Sequence, residues 1–121
     1  MTEEIIRGSV GISETSHQLL VSLVYDENSV EVDRPFLSIV EAFRFAFAYA
    51  YSQNITIQKS GKSVTVAPRQ FVVDDYLELL RDEVLASSKS LGGLISEYAE
   101  AGCQKMDEVR TSGKSVLSLM E

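Results

Sequence analysis

Residues 36 to 52 read Phe-Leu-Ser-Ile-Val-Glu-Ala-Phe-Arg-Phe-Ala-Phe-Ala-Tyr-Ala-Tyr-Ser, and this stretch decides the fold. Taken as a helix, it is apolar nearly all the way round. Ser38, Glu41, Arg44 and Ser52 are its only plainly polar members, and the first three recur every third residue as one narrow stripe. A helix with so thin a polar face is buried by its neighbours or completes its burial against a partner. The pattern therefore predicts a central helix over 36–52 that the other elements wrap. Phe43, Phe45, Phe47, Tyr49 and Tyr51 fall at every second position, so a helix spreads them around its axis. That is core material plus a contact with a second copy, for which Phe43, Phe47 and Tyr51 are the candidate residues.

Around that helix, 121 residues suffice for one domain with a real core, 1–121, whose ends at 1–12 and 113–121 carry weak signals and are expected to be flexible. Apolar and charged fractions are those of an ordinary globular protein. No apolar run reaches the ~20 residues of a membrane span, and Glu41 and Arg44 interrupt the nearest approach. The N-terminus is acidic, without a basic-then-apolar leader pattern, and the single cysteine, Cys103, excludes an internal disulfide. Both point to a reducing cytoplasm. A formal charge of −7 makes free nucleic acid a poor default partner unless the basic groups gather on one face.

Upstream, Ser13 is a candidate helix N-cap with Glu14 in the first turn, and Leu19, Leu20, Leu23 and Val24 follow at helical spacing. A helix over 14–25 competes with a strand through Leu19–Tyr25, since Val21, Val24 and Tyr25 favour strands. Arg34 precedes Pro35, which suits a first helical position, so the central helix is expected to begin at 35 or 36. Downstream, Ile55 and Ile57 alternate with polar residues, as do Val64 and Val66, with Ser60-Gly61 midway. This is the pattern of a two-residue hairpin over 55–66 with Ile57 opposite Val64. Asp74 and Asp75 open a third helix, and Ser87 to Gly93 weaken the chain enough to break it. A last helix carries Leu91, Leu94, Ile95, Tyr98, Gly102, Met106 and Val109. Its outer face holds Glu97, Glu100, Lys105, Asp107 and Glu108, and Thr111-Ser112-Gly113 ends it.

No set of residues assembles a chemistry. Ser-Gly-Lys-Ser occurs at 60–63 and 112–115, but the glycine that a phosphate loop needs five residues upstream is Thr56 in one copy and Glu108 in the other. The two copies read as a hairpin turn and a helix stop. His17 is alone, Cys103 has no histidine near it in sequence, and no metal-ligand spacing occurs. Asp74-Asp75 and Asp107-Glu108 are helix neighbours that diverge, which suits helix-start electrostatics and a solvated face better than paired acid/base work. Catalytic, cofactor and metal residues are therefore none. Lys59, Lys62 and Arg69 cluster on and after the hairpin; they either guard an edge strand or form a basic surface for an acidic partner or DNA.

Two segments resemble a known family. Glu41-Ala-Phe-Arg-Phe-Ala-Phe-Ala, led by Phe36, resembles the acidic-x-Phe-x-Phe-Ala-x-Ala pattern of small accessory proteins encoded beside Dnd systems, which carry out DNA phosphorothioate modification and its linked restriction. Ile95-Ser-Glu-Tyr-Ala-Glu-Ala-Gly is similar to the Glu-Tyr-Ala-x-x-Gly stretch of their final helix. The match covers about a quarter of the chain, and the aromatic helix here runs on through Tyr49-Ala50-Tyr51-Ser52 where the family's tends to end in glycine. The resemblance implies an accessory role in a bacterial DNA-modification or defence cluster and supplies no catalytic residues.

The sequence thus predicts an α+β, mainly α domain: about four helices around a buried central helix (36–52) with one β-hairpin (55–66). The expected function is that of a non-enzymatic accessory, a homo-oligomer that also contacts other proteins of a DNA-modification complex. The alternatives are a DNA-binding accessory using the basic hairpin and a small enzyme of unknown substrate built on Cys103 or the carboxylates.

Overall fold

Ser13 closes a short strand and opens a helix. Its backbone is extended and its hydroxyl accepts from the Ser16 N–H, the bond that satisfies an orphan donor of a helix's first turn. The structure, a computed structural model, describes residues 10–27, 34–57, 63–65, 76–87 and 89–120. Among these, the order is β1 (Gly11–Ser13), α1 (Glu14–Ser22), α2 (Ile39–Gln53), β2 (Ser63–Thr65), α3 (Leu77–Ser87), α4 (Leu91–Thr111) and a 3-10 turn (Val116–Met120). The fold is α+β and mainly α, as the periodicity predicts. Residues 14–22 are helix, which stops short of the expected 14–25, and of the strand alternative through Leu19–Tyr25 only the bridge at Val24 forms.

The aromatic segment is a helix, but it starts later than expected. Pro35 does not begin it. Phe36 is still extended and bridges to Val24 in parallel: the Tyr25 N–H donates to the Phe36 carbonyl (2.6 Å) and the Phe36 N–H to the Leu23 carbonyl (3.2 Å). Ser38 is the N-cap, its hydroxyl accepting from the Glu41 N–H. Ser38-Ile-Val-Glu41 has the S-x-x-E spacing of a capping box, a signal that outranks proline at N1 here. Asn54 ends the helix in the left-handed region (φ 55°), a conformation asparagine tolerates.

At the centre lies α4, with α2 as its main partner; β1, α1, α3 and the 3-10 turn also pack on α4. The reason is side-chain size. Gly92, Ser96, Ala99, Ala101 and Gly102 are all buried on α4 and let neighbours approach it from several sides. By contrast α2 keeps Glu41, Arg44, Ala48 and Ser52 exposed. The expectation that every element wraps 36–52 is corrected accordingly. The tightest approach is at Gly102, where an added Cβ would run into the Ala46 carbonyl of α2.

Phe43 is wholly buried and Phe47 nearly so. Phe47 meets Tyr76 (4.8 Å) and Tyr98 (5.7 Å) edge-on and stacks with Tyr51 (5.9 Å), while Phe36 tilts against Phe45 (5.1 Å). These separations and angles suit the ring quadrupoles. The Tyr98 hydroxyl donates to Glu83 Oε2 at 2.6 Å, tying α4 to α3. Ser87 ends α3 and Ser90 caps α4, so the predicted break is present.

The hairpin takes another form. Ile55 to Ile57 belongs to no strand; the Ile57 N–H donates to the Glu97 carbonyl of α4 at 3.2 Å. Ser63–Thr65 pairs instead with β1, antiparallel, with Ile12 opposite Val64. Local alternation predicted the strand but not its partner, because Gly11-Ile12-Ser13 is too short to announce itself. The intervening residues 58–62, and Val66, lie outside the described residues. Val10 and Ile12, expected to be flexible, are buried, and Val116 anchors the 3-10 turn in the core.

Candidate functional site

The polar centre of the molecule is Glu100, which sequence reasoning placed on the outer face of the last helix. It is instead 9% exposed, turned toward β1 and α1. Its Oε1 accepts from the Ser13 N–H (2.7 Å), and its Oε2 accepts from the hydroxyls of Ser13 (2.9 Å) and Ser16 (2.7 Å). One turn earlier the Ser96 hydroxyl accepts from the Gly11 N–H (2.9 Å) and donates to the Gly92 carbonyl (2.8 Å). The helix face Ser96-Glu100 therefore provides the polar partners for a buried strand end. A lone buried carboxylate is costly unless hydrogen-bonded, and three donors meet that need. A signal was available in the sequence: neither position 96 nor 104, the i±4 neighbours of Glu100, is basic, whereas Ser13 and Ser16 offer short hydroxyls one helical turn apart.

Beside this network opens a cleft of about 590 Å³ between α1 and α4. Glu100 and Cys103 form part of one wall, Leu19 and Ile57 supply apolar surface, and Gln18 and Gln104 are exposed wall residues. At one end Arg110 donates to the Ser22 hydroxyl, bridging α4 to α1. Cys103 is buried, and its thiol is held protonated well above the ordinary range, first by burial and then by the Glu100 charge, against a smaller opposing pull from a Ser16 hydrogen bond. Such a thiol is a poor nucleophile at neutral pH. His17 is half-buried and does not line the cleft, so the structure does not bring it to Cys103 there. No group of three or more His, Cys, Asp or Glu among the described residues is arranged to hold a metal ion. Asp107 and Glu108 are exposed, and Glu108 pairs with Lys105 (3.3 Å). The second Ser-Gly-Lys-Ser is a helix stop: Ser112 is the C-cap of α4 and Gly113 has φ 87°.

The candidate interaction residues divide. Phe43 and Phe47 are interior and Tyr51 is half-buried among rings, so the expected aromatic contact face is used up by the chain's own core. Lys59, Lys62 and Arg69 lie outside the described residues, as do Asp74 and Asp75. A different apolar surface takes the place of the first group. In a parallel bridge paired side chains share a face, so the residues that follow each partner share the opposite one. The bridge Val24–Phe36 turns Phe36 inward, and Tyr25 and Leu37 together point outward. They are 57% and 78% exposed, and Val21, one turn before Tyr25, is 44% exposed. Half-buried Arg34 donates to the Val24 carbonyl (3.0 Å) and so brings a positive charge to this bridge, and exposed Glu27 follows Tyr25 by two residues with a negative one.

No protein-family model matches this chain, and no curated protein or solved structure is significantly similar to it. No helix among the described residues is long and apolar enough to cross a membrane.

Proposed function

We propose that the chain is a non-catalytic interaction subunit that pairs with a second copy of itself through the corner where α1 hands over to α2. The observation that carries this reading is the joint outward exposure of Tyr25 and Leu37 across the Val24–Phe36 bridge. Large apolar side chains gathered on one spot mark contact surfaces more often than scattered ones. A rim carrying both signs of charge is self-complementary, as a two-fold interface requires. The resemblance to accessory proteins of DNA phosphorothioation systems supports extending the reading to an accessory role in bacterial DNA modification or defence, where other proteins of the complex would be further partners.

In a two-fold pair each side chain is buried twice. Burying Leu37 contributes about 1.5 kcal/mol or more per copy, so its loss weakens the pair by about a hundredfold. Sedimentation velocity over low to high micromolar concentrations tests this. The wild-type chain is expected to shift from monomer to dimer, and Leu37→Glu is expected to stay monomeric and to keep the melting temperature that the wild type shows at low micromolar concentration, where it too is monomeric. A wild-type chain that remains strictly monomeric at high micromolar concentration would overturn the proposal.

A further inference from the structure

We propose that the cleft between α1 and α4 binds a small primary ammonium compound with an aliphatic body, and that Glu100 is the group that receives its charge. The inference is independent of the α1–α2 corner. It starts from acceptor arithmetic. A carboxylate offers about four acceptor positions, two on each oxygen. Oε2 of Glu100 is filled by the Ser13 and Ser16 hydroxyls, while Oε1 takes only the Ser13 N–H. One position on Oε1 is left, and Glu100 is a wall residue of the cleft. Among the described residues no cationic side chain pairs with Glu100; Lys89 pairs with Glu97 and Lys105 with Glu108.

The geometry at Oε1 selects the cation. A guanidinium binds best through two parallel bonds to both carboxylate oxygens, which the crowded Oε2 does not allow. A divalent metal needs several oxygen ligands, and no such group is assembled among the described residues. An ammonium is a compact point charge that can make a single bond to Oε1. Leu19 and Ile57 line the same cleft and suit an alkyl stem, and the volume of about 590 Å³ is that of a small-molecule site. Arg110, ten residues along α4 and so about 15 Å away along the axis, puts a positive charge at the far end. Asp107, a second carboxylate in the cleft wall, lies between Glu100 and Arg110 in the sequence of α4, so beyond the alkyl body the cleft offers one charge of each sign. The chain's net charge of −7 draws cations in general, which makes a neutral control essential.

The test is an amide NMR titration of the whole chain with n-butylammonium, with butan-1-ol and butyrate as neutral and anionic controls. Saturable shifts centred on Ser13, Ser16 and Glu100 are expected for the amine alone. Glu100→Gln keeps the side-chain size and removes the charge; it should weaken binding about tenfold or more. Gln104→Trp, at an exposed wall position, should fill the cleft and abolish binding while leaving the fold intact, so the proposal stays testable if Glu100→Gln does not fold. Nα-acetyl-lysine amide binding more tightly than butylammonium would assign the ammonium to a protein lysine, and weaker binding to a free amine; either upholds the site. Equal binding of butan-1-ol, undiminished binding in Gln104→Trp, or no saturable shift at high millimolar amine would overturn it.

Discussion

Replacing Gly102 by alanine adds one methyl group at the point where the two largest helices touch. Built on the native backbone, that Cβ would run into the Ala46 carbonyl of α2 and lie 2.8 Å from the Ala46 Cα. Carbon atoms in ordinary contact sit about 3.5–4.0 Å apart, so the helices must separate by about 1 Å. The obstacle is backbone, and no rotamer change relieves it. Overpacking a core costs about 1–3 kcal/mol, and a rigid helix–helix contact belongs at the upper end. Against this, alanine is favoured over glycine inside a helix by about 1 kcal/mol. The net expectation is a loss of about 2 kcal/mol, or a melting temperature lower by roughly 6–10 °C for a chain of this size. Urea unfolding followed by circular dichroism measures it. Gly113→Ala is the control: nothing lies within 4 Å of its added Cβ, and its φ of 87° alone costs about 1 kcal/mol. A Gly102→Ala chain as stable as the parent would refute the α2–α4 packing on which the core is built.

Glu100→Ala strands the Ser13 N–H and two hydroxyls, and is expected to cost about 3 kcal/mol in the same urea assay; a neutral result would show that the carboxylate is not where the network puts it. Tyr98→Phe should cost about 1 kcal/mol by removing the bond to Glu83. Burial first, then Glu83, hold the Tyr98 phenol protonated far above its ordinary value. Stability from Tyr98 is therefore complete below the unfolded phenol value of about 10 and drains away as pH rises beyond it, and an ultraviolet titration should show one tyrosine ionising only on unfolding. Cys103, also held protonated by burial, should react with a thiol reagent at pH 7 orders of magnitude more slowly in the folded chain than in urea; a fast native reaction would mean that the thiol is exposed in the cleft wall.

The local signals of this chain were strong and short in range. Ser13 and Ser90 read as caps or breaks because capping needs only a hydroxyl and the next three residues. The aromatic run read as a helix because its polar stripe repeats every three residues, and the α+β, mainly α class followed from there. Ser38-Ile-Val-Glu41 carried an equally local cap signal, overshadowed by the proline rule. Which helix sits at the centre was not legible. Hydrophobicity nominated α2, whereas close approach depends on small residues, and Gly102 on α4 shows its value only when Ala46 is brought against it. The partner of Ser63–Thr65 was hidden for a related reason: strand alternation names a strand's faces but not the segment, some fifty residues earlier, that completes its hydrogen bonds. Glu100 was misread because a carboxylate on a helix is ordinarily solvated, and only the folded chain delivers the hydroxyls of Ser13 and Ser16 from 84 or more residues away. What the sequence determined by itself was which stretches are helical, since that choice is made among near neighbours. What the tertiary structure alone decided was which of their faces meet, because burial of a polar group or of a bare glycine is a property of two segments and not of one.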